Sequence, residues 1–240
     1  MNGNSLQRRG TDLAFIVVMA AYASFALTFF WDRPYLLTLL LLLPPITLGA
    51  RLGQPKMVVV MLLTAAVLGS FTEICCVVGG LWTYAQTGGL PYVPLWNTLA
   101  WACFPPAFWL GAKIVFGEEV PTKSSTRSLV LALIGIAAMI VLFVYSENNG
   151  GPTVIMGFLM AAALIVITRQ NITVLMMVVA IFIGPICESS AIASGAWHYV
   201  APPYVLGLPA YMIPAYAVFG ALMGHASQAA GALVLKKIGP

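Results

Sequence analysis

Eight mostly apolar stretches, each close to the ~20 residues a helix needs to cross a bilayer, run along the chain with short polar breaks between them. They fall at about 12–31, 34–50, 57–80, 94–116, 128–146, 152–169, 172–195 and 210–235. This pattern leaves few folds open, because buried backbone in hydrocarbon must satisfy its own hydrogen bonds, and helices do so within one segment. Composition agrees: 61% of the 240 residues are hydrophobic, mean hydropathy is +0.96, and 8% are charged. A soluble domain carries about a quarter charged residues. There is too little polar surface for a water-exposed globule, so a soluble enzyme, a disordered chain and a nucleic-acid binder are excluded. The net charge of +4 comes from basic residues scattered between apolar runs, not from a basic patch.

The second and sixth runs are short. Pro44-Pro45 interrupts the second and Pro105-Pro106 the fourth. Such prolines are expected to kink their helices, not end them. With the N-terminus in the cytoplasm, Arg8, Arg9, Arg51, Lys56, Lys113, Lys123, Arg127, Arg169, Lys236 and Lys237 all fall on the inner side, and Arg33 alone on the outer side. That asymmetry follows the positive-inside rule and supports eight spans with both termini cytoplasmic. Asp12 and the aromatic end Phe29-Phe30-Trp31 mark the first run as an uncleaved helix, not a signal peptide.

The third and seventh runs end alike, in EICCVVGGLWTYAQTGGLPYVPLWN from Glu73 and ESSAIASGAWHYVAPPYVLGLPAYMIPAY from Glu188. Glu73, Trp82, Tyr84 and Gly89-Leu90-Pro91 match Glu188, Trp197, Tyr199 and Gly207-Leu208-Pro209. This reads as duplication of a four-helix unit. Four spans per unit keep both copies in one orientation, related by an axis along the membrane normal. The expected fold is therefore an all-α integral membrane protein, with eight transmembrane helices as two parallel-oriented four-helix repeats. The units are 1–117 and 128–240, joined by a cytoplasmic linker at 118–127.

Glu73 and Glu188 are the only acids deep within spans. Each lies 16 residues after its span begins at Met57 or Ile172, roughly 24 Å from the inner surface. Intramembrane carboxyls face the bundle interior or a wet cavity and mark functional sites by default. An acid kept from water without a cationic partner favours its neutral form, and a proton donor in an apolar pocket is chemically potent. The alternative is structural: each Glu bonds only local backbone where the loop folds back. Trp82, Tyr84, Trp197 and Tyr199 read either as an interfacial aromatic belt or as a wall that stabilises a cation. Asn97 and Tyr216 lie at the outer ends of spans four and eight, three and two residues after Pro94 and Pro214. There they either bond a carboxyl or simply satisfy a helix end. His225 is too deep to pair with Glu188 and is expected to bond a neighbour such as Gln228, while His198 lies in an outer loop. Cys75, Cys76, Cys103 and Cys187 lack metal or disulfide spacing. No metal or cofactor is expected, and no nucleotide or nucleophile-elbow motif is present.

The pattern Glu73, Gly79, Trp82, Tyr84, Gly89, Pro91, Pro94, Trp96, and again Glu188, Gly195, Trp197, Tyr199, Gly207, Pro209, Pro214, resembles the membrane carotenoid-biosynthesis proteins. These include the carotenoid 1',2'-hydratases. The W-x-Y…G-x-P segment is also similar to the duplicated small lycopene cyclases. The resemblance implies an isoprenoid substrate and a carboxylic acid that protonates an alkene. The second carboxylate would then activate water in a hydratase or remove a proton in a cyclase. Glu73 and Glu188 would be catalytic, and Trp82, Tyr84, Asn97, Trp197, Tyr199 and Tyr216 would bind substrate. The alternatives are a small-solute or proton-coupled transporter, and a non-catalytic subunit of a membrane complex. The expected partners are a membrane lipid or isoprenoid and, beyond it, a second copy or a complex partner, in a bacterial or archaeal plasma membrane.

Overall fold

A computed structural model describes residues 3–117, 126–145 and 150–238. Most of the expected linker, 118–125 with Lys123, lies outside the described residues. Ten helices and two short strands follow in order: α1 Gly3–Phe30, α2 Pro34–Leu40, α3 Leu43–Leu52, α4 Pro55–Val78, β1 Trp82–Tyr84, α5 Leu95–Ala102, α6 Phe104–Phe116, α7 Thr126–Tyr145, α8 Gly150–Thr168, α9 Asn171–Ala193, β2 Trp197–Tyr199 and α10 Met212–Ile238. Paired as α2–α3 and α5–α6, they make eight helical units long and apolar enough to cross a membrane. Large side chains such as Val67, Val166 and Phe182 are more than 60% exposed on the outside, a surface suited to lipid and not to water. The chain is an integral membrane protein.

The proline pairs do more than kink. Each starts a new helix, Pro44-Pro45 in the first turn of α3 and Pro105-Pro106 in the first turn of α6. The N–H groups of a first turn have no acceptor within their own helix, so proline there forfeits no intrahelical bond.

Adding 115 to a residue number in the first half gives its counterpart in the second. Thus Glu73 maps to Glu188, Trp82 to Trp197 and Tyr84 to Tyr199. The strands make the symmetry concrete. β1 and β2 pair antiparallel, Trp82 opposite Tyr199, Thr83 opposite His198 and Tyr84 opposite Trp197. Thr83 and His198 are themselves counterparts, so the twofold axis passes between them, normal to the ribbon. Flanking bonds repeat in the same way: Ala85 N–H to Ala196 O at 3.0 Å, and Val200 N–H to Leu81 O at 3.0 Å. Side chains alternate along a strand. Thr83 and His198 face outward and are exposed, while both Trp and both Tyr face the bundle.

The structure corrects three pairings read from the sequence. Gly80, not Gly79, is the counterpart of Gly195: both have positive φ, +76° and +89°, where the chain turns from helix into ribbon. Pro94, not Pro91, matches Pro209, since their carbonyls accept the equivalent bonds from Asn97 and Met212, both at 3.0 Å. The two Gly-Leu-Pro triplets are therefore out of register, and Pro214 has no proline counterpart.

α10 is the central helix, packed on α4, α6, α7, α8 and α9. Its small residues allow this. A Cβ at Gly224 would come 2.5 Å from the Met176 sulfur, and one at Gly231 3.0 Å from Met57, the close approach that small residues permit between membrane helices. The start of α1, the end of α10, and the α3–α4 and α8–α9 turns lie at the end opposite the ribbon. There Arg51 pairs with Asp12 at 2.6 Å and stacks on Phe15.

With Thr83 directly opposite His198, a Thr83→Cys, His198→Cys double variant will close an intramolecular disulfide on mild oxidation, because directly opposed residues on antiparallel strands meet the distance requirement. Peptide mapping by mass spectrometry should find the 83–198 crosslink. Pairing a Cys at 83 with one at 200 instead should give little.

Candidate functional site

Under the ribbon each half builds the same device. Glu73 projects from α4 at the level of the ribbon. Its Oε2 accepts from Trp82 Nε1 at 3.0 Å and Tyr84 OH at 2.7 Å, and its Oε1 from Trp101 Nε1 at 3.1 Å. Glu188 on α9 does likewise. Its Oε1 accepts from Trp197 Nε1 at 3.0 Å and from Tyr199 OH, and its Oε2 from Tyr216 OH. Both glutamates are buried. The donors are side chains throughout, so the alternative in which each Glu bonds only local backbone does not hold. The helix supplies the acid, the strand nine and eleven residues later supplies two donors, and the next helix supplies a third.

Trp101 is the residue that the sequence reading missed. It lies 28 residues after Glu73, as Tyr216 lies 28 after Glu188, so Trp101 and not Asn97 is the counterpart of Tyr216. A glycine one helical turn before each acid makes room for this partner. A Cβ at Gly69 would strike the Trp101 ring, and one at Gly184 the Tyr216 ring. The repeated Gly-x-x-x-Glu was legible in the sequence, and so was the 28-residue interval.

Asn97 plays a different part. Its Nδ2 donates to Tyr84 OH. The single phenolic proton of Tyr84 is already given to Glu73, so the amide must turn its NH2 toward Tyr84. That leaves Asn97 Oδ1 buried without a partner, as is Trp96 Nε1. The counterpart of Asn97 is Met212, so the second half lacks this relay. Burial and the nearby carboxyls push the phenols of Tyr84 and Tyr199 well above their ordinary value, which keeps both as O–H donors.

The two clamps share one cavity of about 160 Å³. Glu73, Glu188, Trp96, Asn97 and all four ribbon aromatics border its ribbon end, and Leu27, Ala20 and Ile16 of α1 mark its descent toward the other face. From Leu27 to Ile16 is about 16 Å along the helix. The rings interlock around its upper end, Trp82 with Tyr199 at 5.3 Å, Tyr84 with Trp197 at 5.7 Å and Trp96 with Trp197 at 5.9 Å between centroids. Below the clamps the lining is almost wholly apolar.

His225 sits away from the clamps and bonds a neighbour, Thr173 Oγ1, at 2.9 Å. His198 is exposed on the outer face of the ribbon. The four cysteines are free thiols, and Cys187 Sγ accepts from Ser24 Oγ at 3.1 Å. Among the described residues no cluster of His, Cys, Asp or Glu could hold a metal ion.

Removing one clamp donor leaves a buried carboxyl oxygen short of a partner, at a cost of about 1–3 kcal/mol. Trp101→Phe and Tyr216→Phe should therefore each lower the thermal midpoint of the purified protein. Gly184→Ala, which forces the Tyr216 ring off its acid, should lower it by at least as much. Unchanged midpoints would mean that these helix-borne donors do not stabilise the clamps.

No family model matches the chain, and no curated protein matches it in sequence. Its fold is similar to two solved structures, both at a TM-score of 0.60 and 20% identity, covering 75% of this chain and 95% of theirs. One is MvINS, a mycobacterial Insig homolog from Mycobacterium vanbaalenii, and the other a cross-linked MvINS trimer. At that identity the likeness shows a shared helical membrane fold.

Proposed function

We propose that this chain is a non-catalytic membrane protein that binds one lipid in the chamber beneath the ribbon, the lipid's polar end at the clamps and its apolar body along α1. The observation that carries this reading is the chamber's division of polar groups. The carboxyl oxygens are already engaged by three donors in each half, so their first role is to lock the ribbon onto the bundle. Trp96 Nε1 and Asn97 Oδ1 are the unpartnered buried polar atoms among the described cavity-lining residues. A free donor and a free acceptor suit a hydroxyl-bearing lipid, since a hydroxyl both gives and accepts a hydrogen bond. The apolar lining below argues against a hydrated solute and so against a carrier.

Assembly belongs to the same proposal. The similar protein MvINS is known as a cross-linked trimer, and this chain offers long lipid-facing helices for contact with a second copy or a membrane partner. The basic residues at the end carrying the start of α1 and the end of α10 support a cytoplasmic position for that end, in the plasma membrane of a prokaryote.

One observation favours a second reading, an enzyme acting on an isoprenoid as the likeness to carotenoid-biosynthesis proteins implies. Two carboxyls border a single apolar cavity walled by indole and phenol rings, an arrangement suited to protonating an alkene and stabilising the cation.

The binding reading predicts that protein purified in mild detergent retains about one equivalent of a hydroxyl-bearing lipid by native mass spectrometry. Asn97→Leu should weaken retention about tenfold, the ~1.4 kcal/mol scale of one hydrogen bond. Protein that retains no lipid, and does not take one up from a lipid extract, would refute it. The enzyme reading instead predicts turnover of acyclic polyenes by the wild type, abolished by Glu73→Gln and by Glu188→Gln with expression intact.

A further inference from the structure

The duplicated scaffold offers two equivalent places for a chamber, yet the cavity is lopsided between them: Ile16, Met19, Ala20, Ala23 and Leu27 of α1 line it, against Phe143 alone of the equivalent helix α7. The difference traces to one pair of counterparts. In the first half Ala107 on α6 and Ala20 on α1 both line the cavity. In the second half position 222 is Leu and position 135 is Gly. Leu222 is buried and packs directly on Gly135, where an added Cβ would lie 2.7 Å from its Cδ2. A large side chain seated on a missing one closes the α7–α10 seam, while small residues on both sides leave the α1–α6 seam open. Phe143, the counterpart of Thr28, ends the cavity on this side: it lines the cavity wall together with Phe219, its ring 5.8 Å from that of Phe219 and 5.5 Å from that of Tyr211.

We propose that Ala107 and Ala20 determine ligand entry: they admit a single hydrocarbon chain between α1 and α6, and Leu222 on Gly135 plugs the equivalent place in the second half, so that each polypeptide binds one chain. This rests on the lipid-binding reading and specifies where the apolar body lies. A leucine at 107 brings three further carbon atoms into the cavity and recreates the closed arrangement of the second half.

The test uses the full chain in nanodiscs and parinaryl alcohol, a fluorescent polyene with a terminal hydroxyl, read as saturable energy transfer from tryptophan. Wild type is expected to bind one equivalent. Ala107→Leu is expected to lose at least tenfold in affinity while keeping its elution profile and thermal midpoint, because it fills space instead of crowding a packed core. Ala20→Leu, from the opposite wall, should do the same and covers the case in which the first variant fails to fold. Leu222→Ala should raise the saturable capacity above one. Wild-type binding that both alanine-to-leucine variants leave unchanged would overturn the assignment of these residues while leaving the lipid-binding reading in place. No saturable binding by the wild type would remove both.

Discussion

Two buried carboxyls, each gripped by three side-chain donors, hold the outer end of this protein together. A carboxyl in hydrocarbon is costly unless its oxygens are satisfied. Here that requirement is met by residues from a helix, a strand and the next helix of the same half. Meeting it fixes where the ribbon sits, since Trp82 with Tyr84 and Trp197 with Tyr199 reach their acids only from the bundle-facing side of β1 and β2. The ribbon then joins the halves through an antiparallel pair centred on Thr83 and His198. Local satisfaction of two acids thus produces the global twofold relation and, beneath it, the roof of a cavity.

Duplication did not leave two identical sites. Glu73 has two indole donors and one phenol, the phenol steadied by Asn97, whereas Glu188 has one indole and two phenols. Indoles only donate, while phenols both donate and accept, so the second clamp is the more adaptable of the two. The cavity is asymmetric in the same sense: α1, α3 and α6 of the first half line it, while of the matching residues in the second half only Phe143 and Phe219 reach it. Each half supplies one acid and one strand of the roof, and the two halves differ in what lies beneath it.

Much of this was legible in the residues. Eight spans, the parallel repeat and the convergence of Glu73 and Glu188 with the Trp-x-Tyr segments followed from apolar run length, from Glu-to-Trp spacing and from the even span count. Register in the loops was not, because the Gly-Leu-Pro triplet recurs by composition while the backbone aligns Pro94 with Pro209. Only the carbonyl-to-amide bonds to Asn97 and Met212 show which proline does which job. Trp101 escaped notice because its counterpart is a tyrosine, so identity matching passed over it although the interval from the acid is the same. The cavity's asymmetry was beyond a reading of motifs, since it depends on Ala107 and Leu222, ordinary apolar residues whose meaning comes from what faces them.

The central claim is that a long apolar molecule lies under the two clamps. An experimental density map of the protein in a lipid environment tests it most directly. The account predicts continuous elongated density that begins beside Asn97 and Trp96 and descends about 16 Å between α1 and α6. A chamber that is collapsed, or that holds only isolated water peaks reaching Glu73 and Glu188, would contradict it.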